Sequence, residues 1–306
     1  QIKFNDVVRG EIMIDSQNID DQIILKSDGF PTYHLGVVVD DYLMKITHVI
    51  RGEEWLPSTP KHIILYRVFG WEPPVFVHTS LLRNPDKSKL SKRKNPVWTS
   101  FYLDQGIFPE ALLNYLSQMG WSHPEGKDIF SLDEYIKVFD IKDIQKTAPV
   151  FDPVKLEWMN GMYIRKYPVS SIKYKVLEFY NEKNINLDED LVGKTIPLIQ
   201  DRIKKLSDYF PLCEFFFKAP KIYEIDLNDK KDFFKEVFET LNQVNDWKAI
   251  KIGEELANLA KKLNIKNSQF FMDMRMIITG KKISPPLNES MEILGKNACL
   301  DRLTLK

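Results

Sequence analysis

The chain has 306 residues, enough to bury a hydrophobic core and to form two or more domains. Hydrophobic residues make up 43% and charged residues 28% of it, which excludes a chain that is disordered throughout. Lys plus Arg and Asp plus Glu each total 43, so a nucleic-acid partner would have to bind local basic patches rather than a globally positive protein.

The cysteine content and the hydropathy of the chain limit the class of protein further. Only Cys213 and Cys299 occur, without a Cys-x-x-Cys pair, so neither a disulfide framework nor a thiolate zinc site is indicated. No apolar run reaches the roughly 18 residues of a membrane span, and no signal-peptide pattern stands at Gln1. The sequence therefore predicts a soluble cytoplasmic protein without a membrane partner.

Residues 1–97 have the pattern of a mixed α/β region. Thr59 and Pro60 supply an N-cap with proline at the first helical position, and Asp28-Gly29 is a turn signal. Strand patterns cover residues 2–10, 11–15, 23–26, 47–50 and 75–77, and helix patterns cover residues 34–44 and 59–70. The strand at 47–50 is rich in β-branched residues and is predicted to be buried.

After Val97 the pattern becomes helical. A helix from Pro109 ends at Gly120, and Ser131 to Glu134 has capping-box spacing. Amphipathic helices are predicted over residues 170–183, 195–209, 229–243, 248–263 and 268–279, and residues 283–287 form a proline-rich connector before a final helix pair.

The most informative segment is the basic loop, residues 83–94, which ends in KLSKRK. It holds six positive residues and one negative residue, and it follows the turn-like Asn84-Pro85-Asp86. Such a run of basic residues has three possible functions. It can be a solvated cationic patch, a nuclear-targeting signal, or a site that binds a polyphosphate and then releases it.

Residues that follow the strand at 47–50 favour the phosphate-site reading. Ligands bind at the carboxyl ends of strands in open α/β sheets. At this position Arg51 could hold a carboxylate and Trp55 could stack on a purine. A tryptophan is, however, more often part of a hydrophobic core. The acidic pairs at 40–41 and 53–54 are interpreted as solvated or capping groups, so no protein-bound metal is predicted. The histidines (His34, His48, His62, His78 and His123) are isolated in the sequence, which argues against a hydrolase triad.

Taken together, ten stretches resemble bacterial-type glutamyl-tRNA synthetase, a class I aminoacyl-tRNA synthetase. They lie at residues 28–35, 38–44, 47–56, 69–72, 89–93, 109–116, 151–153, 279–280, 284–287 and 294–296. The similarity is dense up to about residue 165 and thinner over residues 170–265. The ordered set is specific to that family.

The resemblance implies ATP-dependent ligation of L-glutamate to tRNA(Glu) through glutamyl adenylate. Lys89, Ser91 and Lys92 match the catalytic KMSKS motif, whose lysines stabilise the pyrophosphate leaving group, with Mg²⁺ held mainly by ATP. By similarity Tyr33 and Arg51 bind glutamate. The positions that match the ATP site are Glu54, Trp55, Leu82, Lys92 and Arg93.

The same resemblance implies a division of the chain into domains and indicates which residues contact RNA. Residues 1–97 match the C-terminal part of a Rossmann-type catalytic domain, residues 98–168 a helical stem-contact domain, and residues 169–218 and 219–306 two helical anticodon-binding subdomains. The positions that match anticodon-facing residues are Arg202, Arg275, Ser284, Pro285 and Leu287. Ordinary surface arginines and a structural proline turn are the alternative interpretation. The expected fold is thus multidomain, with a remnant of an α/β catalytic domain followed by a mostly helical region.

One part of the family pattern is not found in these residues. The HIGH motif, the first glutamate-binding strands and the acceptor-end insertion have no counterpart, so we expect a C-terminal fragment that forms no glutamyl adenylate alone. The alternatives are a catalytically inactive anticodon-binding module, a glutaminyl-type or non-discriminating enzyme that also charges tRNA(Gln), and a scaffold that merely carries a basic loop. A monomer is the default expectation.

Overall fold

A computed structural model of the chain describes residues 1–90, 97–223 and 230–304. The chain divides into two compact units. The first comprises Gln1–Trp98 and Leu112–Leu156, and the second comprises Thr99–Ala111 and Glu157–Lys306. In the described part of the chain, no helix combines the length and the apolar character that crossing a membrane requires.

The first unit is built on a four-stranded mixed sheet. Its strands are β1 (Ile2–Asp6), β2 (Gly10–Ile14), β3 (His48–Gly52) and β4 (Val75–Thr79), in the order β2-β1-β4-β3. β1 pairs antiparallel with β2 and parallel with β4, and β3 and β4 are parallel. The parallel pair requires a crossover, which is the helix between the two strands. Ile2, Ile63 and Phe76 form a buried cluster between sheet and helix.

Two helices of this unit follow from local signals. They are α1 (Tyr33–Leu43) and α2 (Thr59–Phe69). Pro60 lies in the first turn of α2, and Gly70 ends it with φ 70°, a left-handed conformation that glycine adopts without a steric penalty. Both helices confirm the predictions at 34–44 and 59–70, and β2 confirms the strand predicted at 11–15. The strand predicted over residues 2–10 is confirmed only as far as Asp6, where a turn leads into β2.

One strand prediction and one burial prediction in this unit were wrong. Residues 23–26 form only an isolated bridge between Leu25 and Pro31, because the turn at Gly29 folds this short segment back on itself. β3 exists but is not buried, since it is the last strand in the sheet order and Ile50 is 59% exposed. Its β-branched residues indicated a strand correctly, and the position of the strand in the sheet sets its exposure.

The remaining helices confirm the predicted change from α/β to α. Between the sheet and residue 168 they are α3 (Thr99–Asp104), α4 (Pro109–Ser117), α5 (Leu132–Val138) and α6 (Pro153–Lys166). Ser131 Oγ accepts a hydrogen bond from the backbone N–H of Glu134 at 3.1 Å, as the capping-box spacing predicts. Further along come α7 (Val169–Asn181), α8 (Glu189–Ile199), α9 (Tyr209–Phe217), α10 (Lys231–Asn242), α11 (Ala249–Lys262), α12 (Asn267–Thr279), α13 (Leu287–Leu294) and α14 (Lys296–Leu303).

The helix predicted over residues 195–209 was wrong. Asp188 caps α8 through the backbone N–H of Leu191, so the helix starts earlier and Pro197 falls near its end instead of its beginning. A second helix, α9, then begins at Tyr209. The division into domains at residues 97, 168 and 218 stays a prediction.

The described residues of the second unit form two hydrophobic cores. One is centred on Ile172, Ile196 and Tyr209, all fully buried. The other is formed by α10 to α14 and includes the fully buried Phe270 and Met291. Each core is lined by the apolar faces of amphipathic helices, which is why the helical periodicity of this region was predictive.

The buried side-chain amide of Asn160 bonds to two backbone segments of the second unit. Asn160 donates from Nδ2 to the carbonyl oxygen of Lys204 at 2.6 Å and to that of Gly106 at 3.3 Å, and its Oδ1 accepts from the N–H of Phe108 at 2.8 Å. The backbone N–H of Leu206 donates to the Gly106 carbonyl at 3.2 Å. These bonds hold the segment around residue 106 against that around residue 206 with no room between them.

Gly106→Ala should therefore destabilise the second unit. A Cβ at this position would lie 2.5 Å from Leu206 Cβ and 2.7 Å from Leu206 N, and φ is +78°. The left-handed conformation alone costs about 1 kcal/mol for alanine, and the overlap with Leu206 adds to that.

The control is Gly70→Ala, where φ is +70° and nothing lies within 4 Å of the added Cβ. Hydrogen exchange measured on peptides from each unit reports both losses of stability. We expect a larger loss at Gly106 than at Gly70, and equal losses would contradict the steric argument.

Candidate active site and nucleic-acid interface

Arg51 lies at the carboxyl end of β3, directly opposite His78 on β4. Its Nε donates a hydrogen bond to His78 Nε2 at 3.1 Å, and its Nη2 donates to Thr59 Oγ1 at 2.9 Å. These two bonds use two of the five N–H groups of the guanidinium. The others can serve further acceptors, including the carboxylate of a ligand.

An aromatic wall lies beside this guanidinium. The rings of Tyr33 and Trp55 are 5.1 Å apart between centroids, and Arg51 Cζ lies 5.9 Å from the Trp55 ring. Burial lowers the pKa of Arg51, and the nearby hydroxyl of Tyr33 raises it. The structure thus brings together the two residues predicted to bind glutamate and one residue predicted to bind ATP.

The other predicted ATP-site residues lie on neighbouring segments. Glu54 is exposed at the start of the turn after β3, and a Cβ on Gly52 would lie 2.6 Å from Glu54 Oε2, so the glycine leaves space for this carboxylate. Leu82 is half-buried, and its carbonyl oxygen accepts from the N–H of Leu90 at 3.1 Å.

The described part of the basic loop is a short hairpin. Arg83 and Lys89 form an antiparallel bridge, and the N–H of Asn84 donates to the Ser88 carbonyl at 2.8 Å. The N–H of Arg83 also donates to the Pro149 carbonyl at 3.0 Å, which anchors the stem in the first unit. Lys89 is exposed at the end of this stem. Ser91, Lys92 and Arg93 lie outside the described residues.

Three histidines interpreted as isolated have polar partners close to Arg51. His34 Nδ1 and His62 Nε2 are 2.9 Å apart, and His78 Nδ1 lies 2.6 Å from Asp6 Oδ2. These pairs are 28 and 72 residues apart in the sequence, so no local motif revealed them. The only available signal was that each histidine falls in or beside a strand or helix that borders Arg51.

The first of these pairs is neutral at physiological pH. Burial lowers the pKa of His62 to about 4, and the charges of Arg51, His34 and His78 act in the same direction. Burial also lowers the pKa of His34, with Lys61 and Arg51 adding to the effect. Two neutral imidazoles share one hydrogen bond, with one ring donating and the other accepting.

The acidic pairs were interpreted as groups that bind no metal, and this stays a prediction. Glu53 accepts a hydrogen bond from Arg9 Nη2 at 2.6 Å, so it forms an ion pair within the unit. Among residues 1–90, 97–223 and 230–304, no group of three or more His, Cys, Asp or Glu side chains is arranged to hold a metal ion.

In the second unit, two arginines converge on the connector before α13. Arg275 Nη1 donates to Ser284 Oγ at 2.6 Å and to the carbonyl oxygens of Ser284 and Pro285 at 3.2 and 2.9 Å, and Arg202 Nη1 donates to the Ser284 carbonyl at 3.3 Å. Burial lowers the pKa of Arg275, and the like charge of Arg202 lowers it further. Two cations held this close favour an anionic ligand such as a phosphate.

The connector residues that match anticodon-facing positions are buried. Ser284 is 3% exposed, Pro285 is buried, and Leu287 is 5% exposed within the core of α10 to α14. Contact between the Leu287 side chain and a base stays a prediction. Arg202, by contrast, is exposed.

Two family models match the chain. Residues 1–158 match "tRNA synthetases class I (E and Q), catalytic domain", and residues 169–305 match "Anticodon binding domain".

Known proteins with similar sequences and structures are glutamate–tRNA ligases. The enzyme of Dehalococcoides mccartyi is 40% identical over 100% of this chain and 66% of its own length, and that of Acidothermus cellulolyticus is 42% identical over 99% and 63%. A crystal structure of a glutamate–tRNA ligase from Elizabethkingia meningosepticum in complex with its amino acid matches with a TM-score of 0.86 at 32% identity, over 99% of this chain and 65% of that one. The chain therefore spans somewhat less than two thirds of the length of these relatives.

The histidine pair makes the stability of the first unit depend on pH. The pKa of His62 is about 4 in the folded chain and has an ordinary value of 6.5, so the unfolded chain binds the proton more readily. The free energy of unfolding should fall as the pH falls from 6.5 towards 4, and His62→Gln should reduce this fall by roughly 2–3 kcal/mol.

Urea unfolding of the first unit at several pH values measures this dependence. The control is Ile63→Val, a buried and non-titrating change on the same helix, which should lower stability equally at every pH. If His62→Gln kept the full pH dependence of the unchanged chain, the assignment would be wrong.

Proposed function

The chain belongs to the class I tRNA synthetases of the E and Q type, and on that premise we propose that it supplies the KMSKS loop and the anticodon-binding region of a glutamate–tRNA ligase. The supporting observation in the first unit is the grouping of Arg51, Tyr33 and Trp55 at the carboxyl end of a parallel strand. A guanidinium held there suits the carboxylate of an amino acid. A cytoplasmic location and a monomeric state are part of the same proposal.

The proposed reaction has two steps. An oxygen of the glutamate α-carboxylate attacks the α-phosphorus of ATP, the bond to the bridging oxygen breaks, and glutamyl adenylate and pyrophosphate form. A hydroxyl of the terminal adenosine of tRNA then attacks the glutamyl carbonyl carbon, loses its proton and displaces AMP. The α-carboxylate is already ionised at neutral pH, so the first step needs no general base.

The chain contributes positioning and positive charge to these steps. Arg51 and Tyr33 hold glutamate, while Glu54, Trp55 and Leu82 border the nucleotide. Lys89, with Ser91, Lys92 and Arg93 beyond the described stem, stabilises the negative charge that develops on pyrophosphate. Mg²⁺ carried by ATP would neutralise further phosphate charge.

In the second unit, Arg202 and Arg275 are proposed to contact the anticodon of tRNA(Glu). Single-stranded bases are recognised by hydrogen bonds and stacking once they are splayed apart, and arginine supplies both the donors and a flat face. Ser284, Pro285 and Leu287 shape the connector beside these arginines. A chain that only binds the anticodon would share this interface and lack the glutamate site.

Arg51→Lys should weaken glutamate binding by about tenfold or more, because lysine cannot reproduce the planar fork that meets a carboxylate. Isothermal titration calorimetry with L-glutamate measures the affinity. Arg67→Lys, at an exposed arginine of the same unit, is the matched control and should leave the affinity unchanged. Absence of glutamate binding by the unchanged chain would favour the anticodon-binding module over the catalytic role.

Arg202→Ala and Arg275→Ala should each weaken binding of tRNA(Glu) and reduce its salt dependence, because each removes a positive charge from the interface. Gel shifts with tRNA(Glu) and tRNA(Gln) at two salt concentrations measure both effects. Lys261→Ala, at an exposed lysine of α11, is the control. Equal affinity for the two tRNAs would favour a non-discriminating enzyme, and unchanged binding by both arginine variants would contradict the proposed interface.

A further inference from the structure

We infer that Asp6 and His78 are positioning residues, which fix the orientation of the Arg51 guanidinium so that it meets the carboxylate of glutamate. The inference rests on the proposed function for the role of Arg51. It adds two buried residues, from β1 and β4, that the sequence resemblance did not assign.

The hydrogen bonds determine which nitrogen of His78 carries the proton. Arginine can only donate, so His78 Nε2, 3.1 Å from Arg51 Nε, must accept. The proton therefore resides on Nδ1, which donates to Asp6 Oδ2 at 2.6 Å. Only this neutral tautomer satisfies both contacts, and the carboxylate selects it.

Asp6 is itself held in place by the backbone. Its Oδ1 accepts from the N–H groups of Val8 and Arg9 at 3.0 and 2.9 Å, and its Oδ2 accepts from the backbone N–H of His78 at 3.1 Å. Asp6 is 1% exposed and His78 is 0% exposed. A carboxylate this buried requires such partners, and together they leave it a single orientation.

Thr59, fully buried at the start of α2, contacts both Arg51 and His78. Its Oγ1 accepts from Arg51 Nη2 at 2.9 Å and also lies 3.1 Å from His78 Nε2. With Nε2 unprotonated, the Thr59 hydroxyl can donate to it or to the Trp55 carbonyl oxygen at 3.2 Å. Bonds at both Nε and Nη2 fix the plane of the guanidinium. An arginine side chain loses rotamer entropy when it is immobilised. Because Arg51 is already held by these two bonds, that loss occurs on folding and not on ligand binding.

Protonation of His78 would break this arrangement, because Nε2 would become a donor facing the Arg51 donor. Burial lowers the pKa of His78, the hydrogen bond and charge of Asp6 raise it, and the charges of Arg51 and Arg9 lower it. His62 is close enough to His78 for a positive charge on one ring to disfavour a positive charge on the other. The neutral form is thus the one present at neutral pH.

The first test measures the network without any ligand. Two-dimensional ¹⁵N NMR of the imidazole nitrogens distinguishes a protonated Nδ1 from a protonated Nε2. We expect the Nδ1–H tautomer for His78 at pH 7. Asp6→Asn should shift His78 towards the Nε2–H tautomer, since the amide can present a donor to Nδ1. An Nε2–H or doubly protonated His78 in the unchanged chain would overturn the inference.

The second test measures glutamate affinity by calorimetry in a pair of His78 variants. His78→Leu removes the acceptor for Arg51 and should weaken binding by more than about tenfold. His78→Gln retains an acceptor near the Nε2 position and should weaken it by only about threefold. A merely space-filling role for His78 would not favour glutamine over leucine.

These tests separate the inference from the proposed function. If Arg51→Lys weakens glutamate binding and His78→Leu does not, the positioning role is wrong while the role of Arg51 stands. If the unchanged chain binds no glutamate, the proposed function fails for this chain, and the tautomer of His78 still decides whether the network exists. Asp6→Asn provides a second perturbation if His78→Leu fails to fold.

Discussion

The first unit depends on the burial of one charge. Asp6 ends β1 with its carboxylate almost fully enclosed, and burying a carboxylate without partners is strongly unfavourable. Its partners are the turn after β1, the backbone of β4 and the imidazole of His78. The imidazole in turn contacts Arg51 at the end of β3. The same bonds that satisfy the carboxylate therefore connect three strands and fix the position of the Arg51 guanidinium at the end of β3.

The candidate sites of both units contain cations, although the formal net charge of the chain is zero. These cations are Arg51 and the exposed Lys89 in the first unit, and Arg202 and Arg275 in the second. The structural solutions differ. Arg51 donates to an imidazole that in turn contacts a buried carboxylate, whereas the two arginines of the second unit donate to backbone carbonyls, which carry no formal charge. An anionic ligand would relieve more repulsion in the second case.

The parts of the fold that the sequence predicted are those with a local cause. Pro60 and Gly70 delimit α2, and Ser131 caps α5, because each residue acts on backbone within one turn of itself. Residues 23–26 have equally good strand composition but pair with no strand of the described chain, and the exposure of Ile50 depends on the sheet order. Pairing partners are chosen by tertiary structure, which a single segment does not encode. Similarly, the sequence alone allows Pro197 at either end of a helix. The cap that Asp188 provides at the start of α8 places Pro197 near the end of that helix.

The residues of the candidate site likewise fall into those that the sequence identified and those that it did not. Tyr33, Arg51 and Trp55 belong to ungapped motifs, so resemblance to a family identified them together. Asp6 and His78 are separated by 72 residues, and each alone looks like an ordinary polar residue of a strand. The physical requirement could still have directed the search: an arginine at the end of a parallel strand needs an acceptor for Nε, and the adjacent parallel strand places one residue directly opposite. That residue is His78, and a histidine that must accept on one nitrogen needs an acceptor for the proton on the other. His78 can thus be identified as the partner of Arg51 only when the pairing register of β3 and β4 is known. The sequence alone does not supply that register.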